Sequence, residues 1–288
     1  MFEEFCFQLP LSAEKRSSIA DRTARIVRRL NTDFRQTTSD AANRFYVGSY
    51  GRNTAVASVS DIDLMYVLPY ETYAQYDVYS GNKQSLLLQA VRNSLNTTYA
   101  NSAVIADGQI VKILFTDNII YEIVPVVLNT DGSYRFPDSN NGGSWRFCKP
   151  KQEIEEFAAK NASCNKNLVE LARMARAWRD ANDVKMSGML IDTLAYQFIE
   201  SWAHRDKSYL YYDYLSRDFF SFLGQQNRQQ GYWIAPGSGC HVHRTGSFEL
   251  KARQAETVSL EAIKNLEASH FWAAKQKYRE IYGTLFPN

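Results

Sequence analysis

Two carboxylates two residues apart sit at the start of an apolar run, Ser60-Asp61-Ile62-Asp63-Leu64-Met65-Tyr66-Val67-Leu68, which Pro69 closes. A run of this length and residue type reads as a β-strand. Side chains on a strand alternate between faces, so Asp61 and Asp63 lie side by side on one face. Two carboxylates so placed repel unless a cation stands between them. The chain must therefore build a sheet that keeps this acidic pair accessible to positive charge.

The surrounding pattern extends the sheet. Residues 44–47 form a short β-like run, and 109–115 and 119–128 read as two strands joined by the turn Thr116-Asp117-Asn118. Helical spacing marks 12–38 through Ile19, Ile26, Val27, Leu30 and Phe34, with Ser12 as its expected N-cap. Its seven basic against three acidic residues read as a solvated face rather than a polyanion groove. Residues 83–99 are helical by the same test. The Gly/Asn/Ser-rich stretch 129–149 reads as a long loop. Beyond 150 the pattern is helical: 163–180 carries an apolar stripe, 189–203 is apolar nearly all round, 208–223 is aromatic, and 250–282 reads as one long C-terminal helix. The expected architecture is α+β, a core at 1–150 followed by a helical lobe at 151–288, with the active-site cleft between them.

Composition narrows the function classes. With 288 residues, 45% hydrophobic and 22% charged, the chain can bury a full core and is neither disordered nor fibrous. Lys+Arg 33 against Asp+Glu 31 leaves +2, so no overall charge calls for a stable nucleic-acid or membrane partner. Cys6, Cys148, Cys164 and Cys240 are widely spaced, which fits a reducing, cytoplasmic setting. No stretch reaches the roughly 20 apolar residues of a membrane span.

The chemistry is concentrated in three places. Gly48-Ser49 forms a turn before the acidic strand, where backbone N–H groups can face phosphate. Asp61 and Asp63 offer the hard oxygen ligands that Mg²⁺ takes together with substrate phosphates. Glu122 lies in the apolar strand Tyr121-Glu122-Ile123-Val124-Pro125, where a lone acid is costly unless it is paired or metal-bound. Three such acids can hold two cations, Mg²⁺ or Mn²⁺, that activate an attacking hydroxyl and steady a leaving pyrophosphate.

This ordered set resembles the nucleotidyltransferase superfamily of DNA polymerase beta. It is most similar to the CD-NTases, the cGAS/DncV-like nucleotidyltransferases. Three further stretches carry the likeness: Ala172-Arg173-Met174-Ala175-Arg176-Ala177-Trp178, Lys185-Met186-Ser187-Gly188-Met189-Leu190, and the ending from Phe271-Trp272 to Ile281-Tyr282-Gly283-Thr284-Leu285-Phe286-Pro287. The resemblance implies a polymerase-beta-like core with a helical lobe, and metal binding by Asp61, Asp63 and Glu122. It implies that Gly48 and Ser49 cradle the donor phosphates, that Arg176 contacts the triphosphate, and that Ser187 lies at the triphosphate or sugar edge. Substrates would be ATP, GTP, UTP or CTP, the product a cyclic di- or trinucleotide messenger of bacterial anti-phage defence, and regulatory protein partners are open. The departures are Glu in place of the usual third Asp, Arg where several relatives use Lys, and Met189 where some carry a stacking aromatic.

On a helical wheel Arg176 falls at the edge of the apolar stripe and Arg173 further toward solvent. Cys240, His241 and His243 have zinc-ligand types but lack a second ligand pair, so a polar loop is expected. Lys112, mid-strand on the face away from its apolar neighbours, reads as solvated or substrate-facing. The rival functions are a linear oligonucleotide synthetase, a terminal or small-molecule nucleotidyltransferase, and an inactive nucleotide-binding module.

Overall fold

The computed structural model describes residues 1–288. The chain runs α1 (Phe2–Gln8), α2 (Ala13–Arg35), β1 (Arg44–Tyr46), a helical turn α3 (Gly48–Gly51), β2 (Asp61–Val67), α4 (Tyr70–Asp77) and α5 (Lys83–Thr98). Then come β3 (Ala103–Asp107), β4 (Ile110–Leu114), β5 (Ile120–Leu128), β6 (Tyr134–Asp138) and β7 (Ser144–Cys148). The remainder comprises α6 (Pro150–Ser163), α7 (Asn167–Ala181), α8 (Gly188–Ser201), α9 (Tyr212–Gly224), β8 (Tyr232–Ile234), β9 (His241–His243), α10 (Glu249–Glu267) and α11 (Phe271–Tyr282). The chain divides into two units. One is Leu11–Gly51 with Ser58–Lys151, and the other is Met1–Pro10 and Arg52–Ala57 with Gln152–Asn288.

The first unit is a mixed sheet in the order β1-β2-β5-β4-β3, with β6 continuing from β5 and β7 from β6. Only β2 and β5 run parallel. One face is filled by Ile62, Leu64, Tyr66, Val111, Ile113, Tyr121 and Ile123, all buried. That face is covered by α2, which buries Ile19, Ile26, Val27 and Leu30. Ser12 caps α2 by accepting the Lys15 N–H at 3.2 Å, and Gln36 ends it in the left-handed region. Polar atoms caught under the helix are paired. The Tyr121 hydroxyl donates to the Ile19 carbonyl at 2.6 Å, and buried Asn31 accepts from Tyr66 and Asn43 while donating to the carbonyls of Ser39 and Ala42.

The second unit is helical around one continuous core in which α7 and α8 supply Leu168, Leu171, Ala172, Trp178, Leu190, Leu194 and Ile199. Phe2 and Phe5 of α1 insert among Tyr212, Tyr278, Tyr282 and Phe286, with Phe2 edge-on to Tyr278 at 4.8 Å. This aromatic seat is why residues 1–10 belong to the helical unit and not to the 1–150 core expected from sequence. Arg52–Ala57 joins the same unit because Arg52 and Thr54 bond to Asp192 there.

Three elements depart from the sequence reading. The expected loop 129–149 is the β6–β7 hairpin, turned at Asn140–Gly142 with Asn141 at φ 52°. The Asn/Gly richness belongs to its turn, while Tyr134, Phe136, Trp145 and Phe147 pattern its strands. The polar loop expected around Cys240, His241 and His243 is part of the β8–β9 hairpin. The expected helix 250–282 is two helices, broken where Ser269 adopts φ 61° and the His270 N–H turns back to the Asn265 carbonyl. No helix is long and apolar enough to cross a membrane.

Candidate active site

The parallel register of β2 and β5 pairs Asp61 with Ile120 and Asp63 with Glu122. On the other side of β5, β4 pairs Lys112 with Glu122. Residues directly opposite in a sheet point the same way. Asp61, Asp63, Glu122 and Lys112 therefore share the face opposite the one that α2 covers. The apolar alternation that buries Ile62, Leu64, Tyr121, Ile123, Val111 and Ile113 is what turns these four charged side chains outward.

Each charged group has a definite setting. Asp61 is exposed, and its Oδ1 accepts from the Ser60 hydroxyl at 3.1 Å. The Asp63 carboxylate lies against Gly48. That glycine has φ +60°, and a Cβ added to it would stand 1.8 Å from Asp63 Oδ2. Only glycine meets both conditions. The Val47 N–H donates to the Asp63 carbonyl at 3.0 Å and fixes the turn beside the strand, so Gly48 and Ser49 open α3 next to Asp63. Glu122 is partly exposed and ion-paired with Lys112, with Nζ 3.2 Å from Oε1.

The donor chemistry suits a divalent cation at the aspartates: hard oxygens, neighbouring on one face, with a carboxylate seated in a cradle that a side chain at 48 would fill. The three-acid cluster expected from sequence is brought into register but not closed. No group of three acidic, histidine or cysteine side chains is drawn together as a cation cage. Glu122 faces Lys112 instead, a partner the sequence did not assign to it.

The remaining expected residues lie in the helical unit. Arg176 is not the boundary cation that the wheel implied, since only 3% of it is exposed. Its Nη1 donates to Asp192 Oδ1 at 2.6 Å and to the Ala172 carbonyl, and its Nη2 donates to the Gly188 carbonyl at 3.1 Å. Arg173 is also buried, and it donates to the carbonyl and side-chain oxygen of Asn53. The wheel gave the apolar stripe of α7, but not that Asn53 would take Arg173 or that Asp192 and Gly188 of α8 would take Arg176. Ser187 is the N-cap of α8, its Oγ accepting the Leu190 N–H at 3.2 Å. It borders an open depression of about 530 Å³ together with Arg179, Lys185, Met186 and Thr245.

Sequence reading missed the centre of this second arrangement. Asp192 is fully buried and accepts from Arg176, from Arg52 Nε at 2.8 Å and from the Thr54 hydroxyl at 3.1 Å. Burial alone would raise its pKa, but the guanidiniums of Arg176 and Arg52 outweigh that and hold the carboxyl below the usual carboxylate range. The signal was present: Asp192 is the one acid in the apolar stretch 189–199, and the rule that singled out Glu122 applies to it equally. Cys240 and His241 occupy an exposed hairpin, where His241 stacks on Tyr232 at 3.9 Å.

Comparisons with known proteins give the family and the fold. Residues 1–161 match the family model of the Second Messenger Oligonucleotide or Dinucleotide Synthetase domain. No curated protein matches the chain in sequence. Among solved structures, E. coli MS115-1 CdnC with ATP superposes with TM-score 0.69 at 14% identity, covering 100% of this chain and 98% of that one. Vibrio cholerae DncV cyclic AMP-GMP synthase with nonhydrolyzable GTP gives 0.69 at 15% identity over 98% and 93%. Bradyrhizobium diazoefficiens CdnG with GTP gives 0.67 at 9% identity over 99% and 95%. At these identities the likeness establishes a shared fold.

Proposed function

Because the chain belongs to the Second Messenger Oligonucleotide or Dinucleotide Synthetase family of nucleotidyltransferases, we propose that it joins nucleoside triphosphates into a cyclic di- or trinucleotide and releases pyrophosphate. The observation that carries this reading is the register of β2 and β5, which sets Asp63 beside Glu122 while Gly48 lies against the Asp63 carboxylate. The solved relatives holding ATP or GTP support triphosphate substrates.

Asp61 and Asp63 would hold a divalent cation, Mg²⁺ or Mn²⁺, with Glu122 as the third ligand once its pairing with Lys112 is exchanged. Such an ion supplies charge neutralisation for the triphosphate and lowers the barrier to attack by a hydroxyl on the α-phosphate. Gly48 and Ser49 take the donor phosphates, with the glycine allowing backbone to approach them closely. Ser187 sits at the triphosphate or sugar edge. Arg176 is a positioning residue: through the Gly188 carbonyl and Asp192 it fixes the first turn of α8, which follows Ser187. The biological role is second-messenger signalling in bacterial anti-phage defence, acting in the cytoplasm.

The test is product identification. The protein is incubated with all four nucleoside triphosphates and Mg²⁺ or Mn²⁺, treated with phosphatase, and the surviving products are weighed by mass spectrometry. Phosphatase-resistant rings are the expected result. Phosphatase-sensitive ladders would assign linear synthesis, and absence of turnover would favour a binding module.

A further inference from the structure

Lys112 is the cation paired with the acids on their face of the sheet, while Lys151 lies further along that face over the Phe45 and Tyr134 rings. Lys112 stands opposite Glu122 on β4 as Asp63 stands opposite Glu122 on β5. Its ammonium lies 3.2 Å from Glu122 Oε1, and the two side chains are 34% and 27% exposed. The face thus presents Asp61, Asp63, Glu122 and Lys112 together, with Asp107 further along β3. Like charges on one face favour a counter-charge among them. On β3 the next position in register is Ile105, which offers no charge. The Ser60 hydroxyl on Asp61 is neutral.

We propose that Lys112 is a resident counter-ion that occupies the metal's electrostatic place on Glu122 and thereby sets the concentration of divalent cation at which the third carboxylate is recruited. The inference rests on the reading of Asp61, Asp63 and Glu122 as the metal-binding face. When Glu122 turns to a metal, the ammonium must give up its pairing, and its four-carbon stem and partial exposure let it swing to solvent. Lys112 is then a positioning residue: it acts on the metal through Glu122. Its consequence for the reaction is a higher metal requirement and a Glu122 that stays ordered before loading.

The experiment measures Mn²⁺ binding by the full chain without nucleotide, by electron paramagnetic resonance or calorimetry, alongside thermal unfolding with and without Mn²⁺. The proteins are wild type, Lys112→Met, Lys112→Gln, Glu122→Gln, Lys112→Met with Glu122→Gln, and Asp63→Asn. Lys112→Met and Lys112→Gln should each bind Mn²⁺ about fivefold more tightly than wild type, the scale of a partly exposed ion pair. Mn²⁺ should also raise their melting temperature more than it raises that of wild type. In the Glu122→Gln background, Lys112→Met should bring no gain. Unchanged or weaker Mn²⁺ binding in both Lys112 variants overturns the inference, as does a gain that persists without Glu122. The site reading fails separately, when Asp63→Asn binds Mn²⁺ as well as wild type does. Loss of binding in Asp63→Asn with no gain in the Lys112 variants would remove only the role of Lys112. No saturable binding by any of the proteins would end both.

Discussion

Gly48 and Asp63 define the site at the scale of single residues, because the carboxylate occupies the volume that any side chain at 48 would need. Gly48→Ala should therefore abolish turnover and lower stability by about 1–3 kcal/mol, the scale of a strained backbone plus a displaced side chain. Paired activity assays and urea titrations check this, and a fully active Gly48→Ala would show that Asp63 is not held as described. Asp192 is the second residue of consequence. Asp192→Asn leaves Arg176 buried without its counter-charge and Arg52 with only Glu153 at 3.8 Å, and should cost roughly 3–5 kcal/mol. The sign of its pH dependence follows from its lowered folded pKa. Its stabilising contribution is present above the ordinary carboxylate range and is lost as pH falls through the folded value. Wild type should thus lose stability on acidification more steeply than Asp192→Asn, read as urea midpoints between neutral and acid pH. These residues were unequally legible. That Asp61 and Asp63 share a strand face follows from alternation alone, and Glu122 stands out as a lone acid in an apolar strand. The pairing of Glu122 with Lys112, and of Arg176 with Asp192, depends on strand and helix neighbours that sequence spacing does not specify.

At the scale of elements, register does the work that no single residue can. Shifting β2 against β5 by one position would turn Asp61 and Asp63 into the apolar layer under α2, so the buried partners Ile62, Leu64 and Tyr121 enforce the site from behind. The strands around the acids were readable because apolar alternation there is strong. The β6–β7 hairpin was not, because the Asn and Gly content of its turn masked four aromatic residues spaced two apart. The break between α10 and α11 escaped for a different reason: serine does not advertise the left-handed conformation that Ser269 adopts at φ 61°. Ser269→Gly should be neutral or stabilising by up to about 1 kcal/mol, whereas Ser269→Val should destabilise. Thermal unfolding of the two variants distinguishes this from a continuous helix, in which glycine would be the worse residue.

At the scale of the whole molecule, the two units are not simple halves of the sequence. Segments 1–10 and 52–57 belong with residues 152–288. The chain therefore leaves the sheet unit just after Gly48–Gly51 and returns just before Asp61, so the glycine turn and the acidic strand are linked by a stretch anchored on Asp192 and Arg173. The switch to a helical pattern after 150 carries no sign of these excursions, which rest on a few aromatic and charged contacts. Phe5→Ala tests the first. Fully buried between Tyr282 and Phe286, it should cost roughly 3–5 kcal/mol in unfolding free energy. A loss under 1 kcal/mol would show that α1 is not part of the helical core.

The central claim is that the outward face of β2 performs nucleotidyl transfer. Its most direct test is the Asp61→Asn, Asp63→Asn double variant, compared with wild type for conversion of the four nucleoside triphosphates in the presence of Mn²⁺, with pyrophosphate and product masses as readouts. The account predicts that wild type releases pyrophosphate and forms a ring, while the double variant melts as wild type does and forms no product. Turnover that survives in the folded double variant would place the chemistry elsewhere in the molecule.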